Sequence, residues 1–250
     1  MIRLDSVDKS FGSSQVLEGV SAVFEAGKAN LIIGQSGSGK TVLIKCIVGL
    51  HDISGGEIFY DDRAFSLLNQ KEQKAIRQEM GMVFQGGALF DSMTVERNVS
   101  FPLDIYSRLS KEEKRERVNN CLQRVDLVNV NKLYPAEISG GMRKRVAIAR
   151  AIALNPKYLF CDEPNSGLDP KTAMIIDQLI REITIEYNIT TIVNTHDMNS
   201  VLQIGDKVIF LAEGKKYWEG TKEDILSTDN KKLNEFVFAS PMMKKIKVDP

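Results

Sequence analysis

Cysteine is scarce in this chain of 250 residues: there are three, Cys46, Cys121 and Cys161, with no Cys-x-x-Cys pair among them. An odd number so scattered indicates neither a disulfide framework nor a zinc site, and a reducing compartment is the simplest setting. Charge of one sign is lacking too, since 33 Lys and Arg balance 33 Asp and Glu. No global field then draws the chain to nucleic acid, and no nucleic-acid partner is expected. No run approaches the roughly 20 apolar residues of a membrane span. Residues 1–5 lack the apolar stretch of a signal peptide, so no leader is expected. Work at a membrane would need another subunit to supply the spanning part. What remains is 43% apolar and 26% charged, ordinary for a globular protein with one large or two small domains.

The most informative stretch is Gly34, Gln35, Ser36, Gly37, Ser38, Gly39, Lys40 and Thr41, a phosphate-binding loop of the form G-x-x-x-x-G-K-T. Glycines let backbone N–H groups approach phosphate oxygens closely. Lys40 brings a point charge to the β- and γ-phosphates, and Thr41 offers a hydroxyl to Mg²⁺. Residues 29–33 read as a buried strand and residues 42–48 as an apolar helix. That order aims the positive end of a helix at the nucleotide.

Along the chain, residues 2–7, 21–24 and 29–33 read as strands of a small antiparallel sheet. Phe11 is either a platform for a base or a local plug. Residues 54–60 read as a turn and strand, with His51 a surface residue at a helix end. Residues 82–84 read as a strand ending at Gln85, which either faces a ligand at the sheet's C-terminal edge or steadies its own loop. A mainly helical insertion spans about 86–156: Thr94 caps one helix, and Ser110 with Glu113 forms a capping box for another. Ser139 caps a third. The Gly140-Gly141 pair at its start is costly in a helix unless backbone must approach an anion; Ser-Gly-Gly is also a common linker.

Residues 158–162 read as a core strand ending in Asp162 and Glu163. Adjacent strand residues face opposite ways, and buried acids must be paired or bind metal. Asp169 and Pro170 open a helix with Met174, Ile175, Leu179 and Ile183 as its apolar stripe. Residues 190–194 form another strand, after which His196 either meets a phosphate or caps. Residues 207–212 and 216–219 close a hairpin, Thr221 and Asp224 cap a further helix, and the tail from Ser240, with Lys244, Lys245 and Lys247, is expected to be mobile.

In this order the pieces resemble the nucleotide-binding subunit of ABC transporters, over nearly the whole chain to about Lys232. Phe11 matches the aromatic A-loop, residues 34–41 Walker A, and Gln85 the Q-loop. Residues 138–142 match the signature motif and residues 158–162 Walker B. Glu163 matches the catalytic glutamate, residues 166–169 the D-loop and His196 the switch histidine. Ile138 and Met142 replace the usual Leu and Gln of the signature, and Asp91 stands where many relatives have Pro. These departures resemble the ATPases of Mla-type phospholipid transport systems.

The resemblance implies a P-loop NTPase of the ABC ATPase fold, α/β, with a mixed core sheet, an antiparallel β subdomain and an inserted helical subdomain. Residues 1–232 would be the ATPase domain and 233–250 an extension. It implies hydrolysis of ATP with Mg²⁺ held by Thr41, Gln85 and Asp162. Glu163 would act as base, with His196 and Lys40 beside it. Two copies would pair head to tail, each ATP lying between one chain's Walker A and Ser139, Gly140 and Gly141 of the other. A permease subunit would dock near residues 86–99, where Leu89, Phe90 and Met93 look exposed, unless these are core contacts. The chain would sit peripherally on the cytoplasmic face of the inner membrane. The alternatives are another cargo, a soluble ABC ATPase acting on nucleic acid or protein, and a nucleotide-gated scaffold without hydrolysis.

Overall fold

The computed structural model describes residues 1–239; the basic tail from Ser240 lies outside the described residues. Two long strands lead, β1 (Ile2–Phe11) and β2 (Ser14–Phe24), paired antiparallel. β3 (Ala29–Ile33) is buried at every position and runs through the glycine-rich loop into α1 (Lys40–Ile47). β4 (Gly55–Tyr60) and the short β5 (Arg63–Ala64) then rejoin the first pair, giving a four-stranded sheet in the order β2-β1-β4-β5.

α2 (Gln70–Gln78) begins at Asn69 with a complete capping box to Glu72, and β6 (Met80–Val83) follows. Next come α3 (Val95–Tyr106), α4 (Lys111–Arg124) and α5 (Gly140–Ile152). Their first turns are capped by the side chains of Thr94, Ser110 and Ser139, as their sequence suggests. β7 (Tyr158–Asp162), α6 (Pro170–Glu186), β8 (Thr190–Thr195) and α7 (Met198–Ile204) alternate. The hairpin β9 (Lys207–Ala212) and β10 (Lys215–Gly220) follows, and then the short helices α8 (Asp224–Ser227) and α9 (Lys231–Val237).

β3 does not belong to the antiparallel sheet, as its position in the sequence suggested. It lies inside a six-stranded sheet ordered β10-β9-β3-β8-β7-β6, parallel to β8 and β9. Its composition is the reason: Ala29, Leu31 and Ile33 on one side and Ile32 on the other need cover on both faces, which a parallel sheet between layers provides. Ala29, Leu31 and Ile33 pack with residues of α3 to α7, while Ile32 packs with α1 and the antiparallel sheet. β7 divides the same way, Leu159 and Cys161 to one side and Tyr158 and Phe160 to the other. All three cysteines are buried and free, and burial pushes the Cys46 thiol up to about 11.

α6 corrects a second expectation. Met174 and Ile175 are exposed, at 54% and 38%. Leu179 and Ile183 are buried as expected, and the buried face also carries Ala173, Ile176, Asp177, Ile180 and Thr184. With two polar residues on the inner face, Asp177 and Thr184, half of the apparent apolar stripe, Met174 and Ile175, lies outside it.

Candidate functional site

Parallel strands end on one edge of their sheet, where ligands of α/β folds bind. Here Ile33 is in register with Thr195, and Asp162 with Asn194. The loops that follow β3, β7 and β8 therefore leave together, carrying Lys40 and Thr41, Glu163, and His196.

The glycine-rich loop is held by shape. Gly34 has φ 153°, and a Cβ there would stand 2.1 Å from the Leu211 carbonyl oxygen and 2.8 Å from Ser38 Oγ. Backbone cannot yield as a side chain can. Gly34→Ala is expected to cost about 3 kcal/mol and to weaken nucleotide binding, read from the denaturant midpoint and an ATP titration. A variant as stable as its parent with full affinity would mean that the loop relaxes freely. Ser38 Oγ is buried with no partner, an orphan that a phosphate oxygen would satisfy. Lys40 Nζ donates to the carbonyls of Gly34 and Gln35 at 2.7 and 3.0 Å. Burial pushes its pKa down, against the pull of the Glu163 and Asp162 charges.

At the first helical turn Thr41 Oγ1 donates to Asp162 Oδ1 at 3.3 Å. Asn194 Nδ2 donates to the same Asp162 oxygen at 2.5 Å and to Thr41 Oγ1 at 3.3 Å. Asn194 Oδ1 is buried without a partner. Asn194 was read only as a strand residue; alternation at the end of β8, beside Asp162, was the signal that marked it.

Glu163 has a left-handed backbone, φ 50°, a strained conformation for a residue other than glycine. Its N–H donates to the Asn194 carbonyl at 2.9 Å, and its Oε1 meets His196 Nδ1 at 2.8 Å. A carboxylate only accepts, so with Glu163 ionised the Nδ1 proton is on His196 and the ring presents Nε2 to the open side. The Glu163 side chain is mostly covered, while His196 is 64% exposed.

The other expected residues, Gln85, Phe11, Ser139, Gly140 and Gly141, make no hydrogen bond with this cluster among the described residues. Gln85 is exposed just past β6, and its carbonyl accepts from Lys144 Nζ on α5. Arg150 on the same helix donates to the carbonyls of Ala88 and Gly87, both at 2.7 Å. Two cations of one helix thus grip the loop after β6. Neither was singled out in the sequence, where they look like an ordinary basic helix face. Burial pushes the Lys144 pKa down, and the Glu163 charge opposes it. Phe11, 45% exposed, is braced edge-on by His51 with centroids 5.3 Å apart, and Lys9 Nζ lies 4.7 Å from its ring centre. Ser139 Oγ accepts from Met142 N at 3.2 Å. Gly140 and Gly141 approach Leu168 and Thr172, beyond the loop of Glu163, rather than residues 34–41.

Known proteins share this chain's family and fold. A family model described as "ABC transporter" matches residues 17–166. The chain is 39% identical over 237 residues to the methionine import ATP-binding protein MetN of Clostridioides difficile (strain 630), spanning 95% of this chain and 74% of that one. It is 37% identical over 236 residues to the probable ribonucleotide transport ATP-binding protein mkl of Mycobacterium leprae (strain TN), spanning 94% and 68%. Among solved structures it resembles the dimeric ATP-binding cassette MJ0796 in a post-hydrolysis state bound to ADP and Pi, with TM-score 0.80, 34% identity and coverage of 89% and 99%. It also resembles cbiO1 from Clostridium perfringens, part of the cbiONQ transporter complex, with TM-score 0.84, 28% identity and coverage of 99% and 97%.

Proposed function

The chain belongs to the ABC transporter family, and we propose that its ATP hydrolysis is carried by the Glu163–His196 pair inside a head-to-tail dimer of two such chains. As a member of that family it is an ATP-binding, energy-coupling ATPase. The observation that carries the assignment is the 2.8 Å contact between His196 Nδ1 and Glu163 Oε1 beside the phosphate loop.

Backbone N–H groups of residues 34–41 and the Lys40 ammonium would bind the β- and γ-phosphates, Lys40 exchanging the Gly34 and Gln35 carbonyls for phosphate oxygens. Glu163 would take a proton from the attacking water as its oxygen bonds to the γ-phosphorus. The bond from that phosphorus to the bridging oxygen breaks, and the oxygen leaves with ADP. General-base help of this kind contributes roughly 10²–10⁴-fold. His196, fixed through Nδ1, would keep Glu163 and the γ-phosphate in register. Ser139, Gly140 and Gly141 of the second copy would add an α5 N-terminus to the far side of the phosphate. The dimeric state of the MJ0796 cassette supports this pairing.

For the metal, the Thr41 hydroxyl, the Asp162 carboxylate and the Gln85 amide are hard oxygen donors of the kind Mg²⁺ takes. The 3.3 Å approach of Thr41 to Asp162 fits that assignment. Bound there, Mg²⁺ would offset phosphate charge.

No helix among the described residues is long and apolar enough to cross a membrane. A permease would therefore be the membrane partner, and the chain would lie peripherally on the cytoplasmic face. Its docking place would be an apolar groove of about 560 Å³ between β6 and α3, lined by Met82, Phe84, Phe90, Phe101, Tyr106 and Leu154. The Phe90 ring is tilted at 51° against Phe101, with centroids 4.7 Å apart, and Phe90 remains 39% exposed, whereas Leu89 packs partly into the core. For cargo we favour phospholipid, on Ile138, Met142 and Asp91 alone. The methionine and ribonucleotide transport named for the two relatives are the competing outcomes.

Purification from detergent-solubilised membranes should bring down an integral membrane protein together with lipid. Tyr106→Asp, at the groove's exposed wall, should weaken that association at least about tenfold while leaving ATP affinity intact. A pool that is wholly free, or bound to nucleic acid, would overturn the transport reading; a membrane partner without lipid would overturn the cargo.

A further inference from the structure

Three buried polar side chains from three separate elements meet: Asn165 in the loop after β7, Asp177 on α6 and Ser200 on α7. Asn165 Nδ2 donates both its hydrogens, to Asp177 Oδ2 at 3.1 Å and to Ser200 Oγ at 2.7 Å. Asp177 is only 2% exposed, and its second oxygen, Oδ1, has no protein partner. A buried carboxyl left half satisfied costs stability, so packing does not account for its presence in the inner face of α6.

Its connections do. Asn165 stands two residues past Glu163, and the turn between them is closed by Ser166 N donating to the Glu163 carbonyl at 3.2 Å. Ser200 stands four residues past His196, on a helix whose first turn is capped by Asp197, whose Oδ1 accepts from Asn199 N at 2.9 Å. The side chains of Glu163 and His196 meet directly at 2.8 Å. Their two supporting segments meet a second time through Asn165, Asp177 and Ser200. Each segment is thus held at two points.

We propose that Asp177 is a positioning residue for ATP hydrolysis, fixing the Asn165 amide that ties the loop of Glu163 to Ser200 on the helix after His196. The proposal rests on Glu163 and His196 being the reacting pair. A carboxylate suits the task because it only accepts, which orients the Asn165 amide with its hydrogens toward Asp177 and Ser200. The charged and titratable groups facing it are Asp197, at the start of α7, and the Cys161 thiol on β7. Burial pushes the Asp177 carboxyl up to about 6 and Asp197 adds to this, while hydrogen bonds from Ser200 and Asn165 hold it down. The sign follows from linkage. A carboxyl whose folded pKa is raised costs stability in its charged form. That cost is fully present above about pH 6 and disappears as the pH falls to the ordinary carboxylate range.

Asp177→Asn keeps the shape and removes the charge. It is expected to lower kcat roughly ten- to a hundredfold with KM for ATP within about twofold, since residues 34–41 are untouched. Its Tm should equal or exceed that of the wild type near pH 8, the gap closing toward about pH 4. Amide hydrogen exchange should rise in both 163–168 and 196–204. Exchanging the pair, Asn165→Asp with Asp177→Asn, should restore one carboxylate–amide bond and recover part of both readouts. A kcat within about twofold of wild type, exchange unchanged in either segment, or kcat and Tm falling together near pH 8 would each overturn the proposal. Exchange is read without turnover, so it reports on the tie even if Glu163 and His196 prove not to be the reacting pair. Glu163→Gln, measured alongside, tests that assignment separately.

Discussion

Glu163→Gln is expected to leave ATP binding nearly unchanged and to bring turnover close to zero. The substitution keeps the size and planarity of the side chain and its oxygen acceptor, so the contact that His196 Nδ1 makes with Oε1 at 2.8 Å survives. What disappears is a site able to take the water's proton. Loss of general-base help is worth roughly 10²–10⁴-fold, about 3–5 kcal/mol of barrier. Binding would rest on other groups: the N–H groups of the loop, the Lys40 ammonium and the Thr41 hydroxyl. With entry intact and exit blocked, the ATP-bound pair of chains should accumulate. Phosphate release measures the first effect, and size-exclusion chromatography in Mg-ATP the second. Turnover above about a tenth of the wild-type rate would assign the proton to another acceptor.

A second large effect is expected at Ser139, far from residues 34–41 in the same chain. Ser139→Trp removes a cap whose Oγ accepts from Met142 N at 3.2 Å, at a cost of about 1 kcal/mol in stability. More important, it puts an indole where a second chain's phosphate would approach α5. Turnover should fall at least about a hundredfold, while the ATP affinity of dilute, separated chains stays within about twofold of wild type. The decisive measurement mixes Ser139→Trp with Lys40→Ala. Neither works alone, yet the mixed pair retains one site with a sound loop from one chain and a sound α5 start from the other, so part of the activity should return. If Ser139→Trp turned over normally, or if mixing restored nothing, hydrolysis would not take place between two chains.

The pieces of the site that were legible in the sequence are those written in local chemistry. The loop of residues 34–41 declares itself by glycine spacing and its Lys-Thr end. Helix starts at Thr94, Ser110, Ser139 and Asp169 declare themselves because a cap is decided within four residues. α2 was passed over although Asn69 and Glu72 carry the same signature; its inner face has little apolar content, with Ile76 its one buried residue. The stripe of α6 was misplaced at Met174 and Ile175, though not at Leu179 and Ile183, because Asp177 and Thr184 are polar yet inward. No local pattern distinguishes an inward acid from an exposed one.

The sequence by itself determined the phosphate loop, the two acids at the end of β7, the helix caps and the family, because each is a matter of residue type at short spacing. Only the tertiary structure decided that β3 lies between β8 and β9, that Lys144 and Arg150 hold the loop after β6, and that Asn194 joins Thr41 to Asp162. It alone placed Asp177 against Asn165 and Ser200. Those contacts join residues that are distant along the chain. Their partners are selected by which strands share a sheet and which helix covers it, a choice made by burial of the whole core and not by any one segment.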